Sequence, residues 1–171
     1  MPLLRGSRSA PSEEDRRLLR EALARLDPWT FWSVPLGGTG ADFAVVGTTG
    51  AFAIAICPLE GYAEPGRRGL SVSGIEITGF KEATRAARKI HGQLLEASTF
   101  AHVEPMLCLT RALAGSSRTI RGVRVVRLED VATDIGGRAR TLDPTTAKRG
   151  AEALGRPIAS SSGPRPEVED V

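Results

Sequence analysis

The amino-acid sequence predicts an α/β protein, a mixed central sheet flanked by helices, on three observations. The first is the stretch Asp42–Cys57, DFAVVGTTGAFAIAIC, where two runs of Val, Ile, Phe and Ala flank the loop Gly47-Thr48-Thr49-Gly50. β-Prone runs joined by a short Gly-bounded loop are the signature of a hairpin. The second is a pair of amphipathic patterns, one before and one after that hairpin, with apolar residues at three- and four-residue steps. The third is Val103–Thr110, a near-continuous apolar run interrupted at Pro105, which fits a strand covered on both faces. A strand, a helix and then such a strand implies a crossover connection.

The chain has 171 residues, of which 41% are hydrophobic and 25% charged, enough for one domain with a real core and short for two. Its net charge is +3, a basic excess that permits nucleic-acid contact without arguing for it. The opening Pro2-Leu3-Leu4-Arg5 has no signal-peptide apolar region. No apolar run approaches the roughly 20 residues of a membrane-spanning helix. No membrane association and a cytoplasmic location are therefore expected. Cys57 and Cys108 fall in predicted strands and read as small buried apolar residues rather than a disulfide or metal pair.

Residues 1–11 read as a flexible tail, 12–155 as the domain, and 156–171 as a disordered tail rich in Ser, Pro and acids. Ser12 caps the first helix, Glu13 and Glu14 fill its first turn, and Asp15 stands where a capping box has Glu. Leu18, Leu19, Ala22, Leu23 and Leu26 form its apolar face, and Asp27-Pro28 ends it. Thr30–Leu36 is a strand, turned by Gly37–Gly40 into the Asp42 strand to make a meander. Pro58–Arg68 reads as a loop, and Leu70–Val72 with Ile75–Ile77 as a small hairpin about Ser73-Gly74. Phe80–Ala97 is the second long helix, striped by Phe80, Ala83, Ala87, Ile90 and Leu94. After the buried strand come a short strand Val123–Val126, a short helix Leu128–Ile135, and a last helix capped at Asp143-Pro144 and running to Leu154.

Folding the hairpin about its loop pairs Val46 with Ala51, Ala44 with Ala53, and Asp42 with Ala55. Strand alternation puts Ala51, Ala53, Ala55 and Cys57 on Asp42's side, with Phe52, Ile54 and Ile56 opposite. The first helix, Trp29–Pro35, the Gly-rich turn and DFAVVGTTGAFAIAIC together resemble the core of the nuclease-related domain, NERD, of the PD-(D/E)xK, restriction-endonuclease-like class. VEPMLCLTRA and GVRVVRLEDVATDI resemble that family's crossover strand and terminal strand-helix. The resemblance spans roughly residues 13–155, and V-V-G-T-T-G-A-F is its most distinctive phrase. It implies an α-β-β-β-α-β core and a site in which Asp and Glu on neighbouring strands hold Mg²⁺ while a Lys supports the nucleophile.

At those positions this chain keeps Asp42 but has Ala55 for Glu and Cys57 for Lys. The resemblance therefore implies a degenerate site with no intact catalytic set and no cofactor. The acid usual in the first helix falls at Glu13 or Glu14, with a slip of a residue or two, and the Gln usual in the crossover helix is replaced around Glu82 and Arg85. Asp42 is either a remaining metal ligand or a strand-opening residue bonded to the Gly38–Gly40 turn or a nearby Arg. The lack of a partner acid favours the second. A relocated acid, Glu60, Glu64 or Glu76, is the alternative that would restore Mg²⁺ binding. Cys57 as a nucleophile needs a His or cation nearby, and nothing in sequence brings His91 or His102 to it. The small Ala stripe is expected to let Ala83, Ala86 and Ala87 of the crossover helix approach closely and close the pocket.

Lys81, Arg85, Arg88 and Lys89 are the candidate nucleic-acid-binding residues, a basic helix face able to meet phosphates; the alternative is a solvated outer face. Gly47–Gly50 lacks the Lys-Ser/Thr of a phosphate loop and reads as a turn. The expected function is a pseudonuclease acting as a nucleic-acid-binding or scaffold module, with DNA or RNA as partner. The alternatives are a protein-interaction module and a divalent-metal nuclease with relocated ligands.

Overall fold

A computed structural model describes residues 10–37, 40–67, 69–77 and 79–155. Most of both tails and positions 38–39 of the Gly-rich turn lie outside the described residues. Helix α1 (Glu13–Leu23) begins with the capping box: the Ser12 hydroxyl accepts the Asp15 amide at 3.1 Å, and the Asp15 carboxylate accepts the Ser12 amide at 2.9 Å. Strands β1 (Phe31–Pro35), β2 (Phe43–Gly47) and β3 (Gly50–Cys57) form the antiparallel meander. Helix α2 (Phe80–Glu96) crosses to β7 (Val103–Leu109), which runs parallel to β3. The core order α-β-β-β-α-β is thus observed.

Between β3 and α2 the expected hairpin about Ser73-Gly74 is present, but the stretch before it departs from expectation. Gly61–Gly66, read as loop, is strand β4, antiparallel to β5 (Gly69–Val72), which pairs in turn with β6 (Ile75–Glu76). Gly61, Pro65 and Gly66 mask β4 in sequence. Its pairing comes from the β5 hairpin, and Pro65 pairs with Leu70 beyond the two positions that β8 (Ala112–Leu113) reaches. A residue without an N–H is tolerated where a strand has a single neighbour. Strand β9 (Arg118–Ile120), also absent from the expectation, pairs antiparallel with β10 (Val123–Arg127). Both β8 and β9 are too short to show a period. A 3-10 turn (Leu128–Asp130) leads into α3 (Val131–Gly136), and α4 (Pro144–Gly155) closes the described chain.

The main sheet has the order β1-β2-β3-β7-β10-β9, with β3, β7 and β10 parallel and the other pairs antiparallel. A smaller sheet, β6-β5-β4-β8, stands beside it. The hairpin register is the expected one, Val46 with Ala51 and Ala44 with Ala53. On one face Phe43, Val45, Phe52, Ile54 and Ile56 meet Leu19 and Leu23 of α1 and Ile135 of α3. On the other, Ala44, Ala51 and Ala53 meet Ala86, Ala87 and Ile90 of α2 and Ala147 of α4. The β3 strand therefore carries large side chains on one face and small ones on the other, and α2 settles close over the small ones. Gly40, at φ 87°, marks that approach: a Cβ there would stand 2.7 Å from the Glu82 carbonyl oxygen.

The Gly47–Gly50 turn is buried and serves as an anchor. The Thr49 hydroxyl donates to the Ile135 carbonyl at 2.8 Å, and the Thr48 carbonyl accepts the Thr141 and Leu142 amides at 2.7 and 3.1 Å. Among the described residues no helix is long and apolar enough to cross a membrane.

Candidate functional site

Asp42 stands one residue before β2 and is 8% exposed. Its amide donates to the Ile54 carbonyl at 2.8 Å, and its carboxylate accepts the Ile56 amide at 2.7 Å. The side chain thus supplies an acceptor for a strand N–H just past the last paired residue, Phe43. An unmatched buried amide is costly, so this bond has a structural reason of its own. The other carboxylate oxygen lies 3.9 Å from Arg16. Of the expected partners, the arginine is present, β3 is added, and positions 38–39 of the turn lie outside the described residues.

Ala55 and Cys57 are buried with Phe80 and Ala83 of α2 and with Leu107 and Leu109 of β7. Leu70 and Val72 of β5 belong to the same cluster, so both positions lie within the core. Cys57 and Cys108 form no disulfide and lie in core clusters on opposite faces of the sheet, and burial pushes the Cys108 thiol up. Ala51, at the far end of β3, bonds to the carbonyl of His102, which puts that residue six strand positions from Cys57, about 20 Å by strand rise. His91 is on the exposed face of α2.

The acid that α1 brings to this end of the sheet is Asp15, one residue beyond the expected pair. It is 2% exposed. Arg111 donates to it at 2.8 Å and the Thr110 hydroxyl at 3.1 Å, from just beyond β7. Burial by itself would raise the carboxyl, but the bonds from Arg111, Ser12 and Thr110 outweigh it and hold its pKa at about 2. Arg111 also reaches Glu60 at 3.3 Å, and Arg16 reaches Glu13 at 3.8 Å. Each acid of this corner therefore has an arginine where a metal-binding carboxylate needs a free oxygen. Glu64 and Glu76, the other relocated candidates, are exposed on β4 and β6. Among the described residues no three His, Cys, Asp or Glu side chains are placed to share a metal ion. Asp15 was missed as a site residue because its partners are 95 and 96 residues away in sequence.

Three of the four basic candidates come together elsewhere. Lys81, Arg85 and Arg88 line an open cleft of about 430 Å³ with Phe80, Thr84 and Arg121, while Lys89 lies outside that lining. Arg121 comes from the two-residue turn between β9 and β10, opposite α2. Among the described residues no acid lines the cleft and none of its four cations makes an ion pair, unlike Arg111, Arg124, Arg127 and Arg138. The sequence signal for Arg121 was the Arg-Gly pair just before the expected strand Val123–Val126. A larger groove of about 670 Å³ lies over β10 and α3, but its charges are matched: Asp134 binds Arg124 at 2.7 Å and Arg138 at 3.0 Å, and Glu104 binds Arg138.

Compared with known proteins, the chain matches no family model, no curated protein and no solved structure.

Proposed function

We propose that the protein is a NERD-like pseudonuclease that binds nucleic acid without cleaving it. The observation that carries this reading is the row Lys81, Arg85 and Arg88 on α2, completed by Arg121 across the cleft with no acid among the described lining residues. Exposed cations without counter-charges are the ordinary means of holding phosphates. Support for the absence of cleavage comes from Ala55 and Cys57, which supply neither a carboxylate nor a cation and are buried in one core cluster with Phe80 and Ala83 of α2. Further support comes from the arginines that answer Asp15, Asp42 and Glu60. A cytoplasmic location belongs to the same reading, with two unbridged cysteines in keeping with a reducing compartment.

The test is a fluorescence-anisotropy titration of single-stranded DNA and RNA against salt. Binding through about four phosphates should give a log–log salt slope near −3, reduced in Arg85→Ala/Arg88→Ala, with the strand left intact in Mg²⁺ or Mn²⁺. Cleavage lost in Asp42→Asn would instead establish a nuclease. No measurable affinity at low salt would sink the nucleic-acid reading and leave a protein-interaction module. That second reading is favoured by Tyr62 and Leu113, paired across β4 and β8 and 68% and 61% exposed.

A further inference from the structure

Nucleic acids offer two kinds of phosphate: the singly charged diester along a strand and the monoester at an end. The monoester carries about −1.5 to −2 at pH 7, with a second ionisation near pH 6, and presents three acceptor oxygens. The cleft between α2 and the β9–β10 turn is shaped for the second kind. Lys81, Arg85 and Arg88 recur at four- and three-residue steps, spanning roughly 10 Å of helix. Arg121 faces them from a different element, so charge converges on one place instead of following a track. The volume, about 430 Å³, is that of a small-ligand site. The Thr84 hydroxyl is held by the Phe80 carbonyl at 2.9 Å, which leaves the cations as the cleft's donors.

A second observation concerns Arg121 itself. Ile120 pairs with Val123, and the two residues between them have φ of 52° and 79°. A turn with both central residues at positive φ prefers Asn, Asp or Gly in the first place. Arginine pays a steric cost there that a smaller residue would avoid, and backbone kept in such a conformation is a pointer to function. Here it carries a guanidinium to the open side of the cleft.

We propose that this cleft binds the terminal phosphate monoester of a nucleotide, at a strand end or free in solution, through Arg85, Arg88 and Arg121 with Lys81 adding charge. Arginine suits the task because its planar fork gives paired bonds to phosphate oxygens. The inference rests on the nucleic-acid reading for its ligand, but it is separable from it by experiment.

Single-stranded oligonucleotides of one sequence, labelled internally, would be titrated with a 5′-phosphate, a 3′-phosphate or hydroxyls at both ends. At least one phosphorylated form should bind about tenfold more tightly than the hydroxyl form, the worth of one charged hydrogen bond or more. That preference should disappear in Arg121→Asn and in Arg85→Ala, and shrink as pH falls below about 6. Asn suits the turn, so Arg121→Asn should unfold in urea no earlier than the parent chain. Equal binding of all three forms overturns the monoester site and leaves the nucleic-acid reading standing. No binding of any form overturns both. A preference that survives in both variants places the phosphate elsewhere and overturns the assignment. Competition with a nucleoside monophosphate separates the two sources: displacement at comparable concentration indicates free nucleotide, and displacement by phosphorylated strands alone indicates ends.

Discussion

Ser12, Thr110 and Arg111 all donate to the Asp15 carboxylate, and that set of donors decides how the protein meets acid. The folded pKa of about 2 lies below the ordinary 3.8. A depressed carboxyl contributes stability that is full above the unfolded value and is lost as pH falls through the folded one. The window therefore runs from about pH 4 down to about pH 2, and the contribution is about 2 kcal/mol. Urea denaturation should show Asp15→Asn destabilised by about that amount at pH 7, with a flatter loss of stability between pH 4 and 2 than the parent. Parallel curves for the two proteins would count against this role. The Ser12–Asp15 box was legible because it is local. The bonds to Thr110 and Arg111 were not, because they depend on β7 delivering its far end to the start of α1.

At the scale of elements, the alternation of large and small residues along β2 and β3 sets the distances of the two helical layers. Phe52, Ile54 and Ile56 hold α1 and α3 off the sheet, while Ala51, Ala53 and Ala55 let α2 and α4 approach. This was readable from period-two alternation in the sequence. It also determines what charged residues placed on the small-residue face would do. Glu at position 55 would carry a charge into the contact between Ala55, Phe80 and Ala83, combining overpacking with desolvation. Ala55→Glu/Cys57→Lys is expected to cost about 3 kcal/mol or more, read as a lowered urea midpoint by circular dichroism. A double variant that stays as stable as the parent and binds Mg²⁺ by calorimetry would contradict the packing described. Strand β4 escaped the sequence because Gly61, Pro65 and Gly66 mask it, and β8 and β9 because strands of two or three residues have no period to read; their partners, not their propensities, make them strands.

Across the whole molecule, contacts distant in sequence tie the ends of the chain to its centre. Asp15 of α1 is held from beyond β7, Thr49 binds the carbonyl of Ile135, and Thr48 receives the amides of Thr141 and Leu142. Such interlocking favours one cooperative unit. Hydrogen exchange should find the slowest amides in β3 and β7, which are buried and paired to each other along their length, with urea unfolding monitored by fluorescence and circular dichroism giving one shared transition. Separate transitions for the two halves of the main sheet would refute that unity. The sequence by itself determined the fold class, the hairpin register, the capped helices and the presence of Ala and Cys at positions 55 and 57 on Asp42's side of the hairpin, because each follows from local period, turn chemistry or residue identity. Only the tertiary structure decided that Asp42 serves β3, that Asp15 is the buried acid, and that Arg121 joins the basic face of α2. Those assignments depend on which elements come together around the sheet, and side chains tens of residues apart become neighbours only when the crossover and the final hairpin are in place.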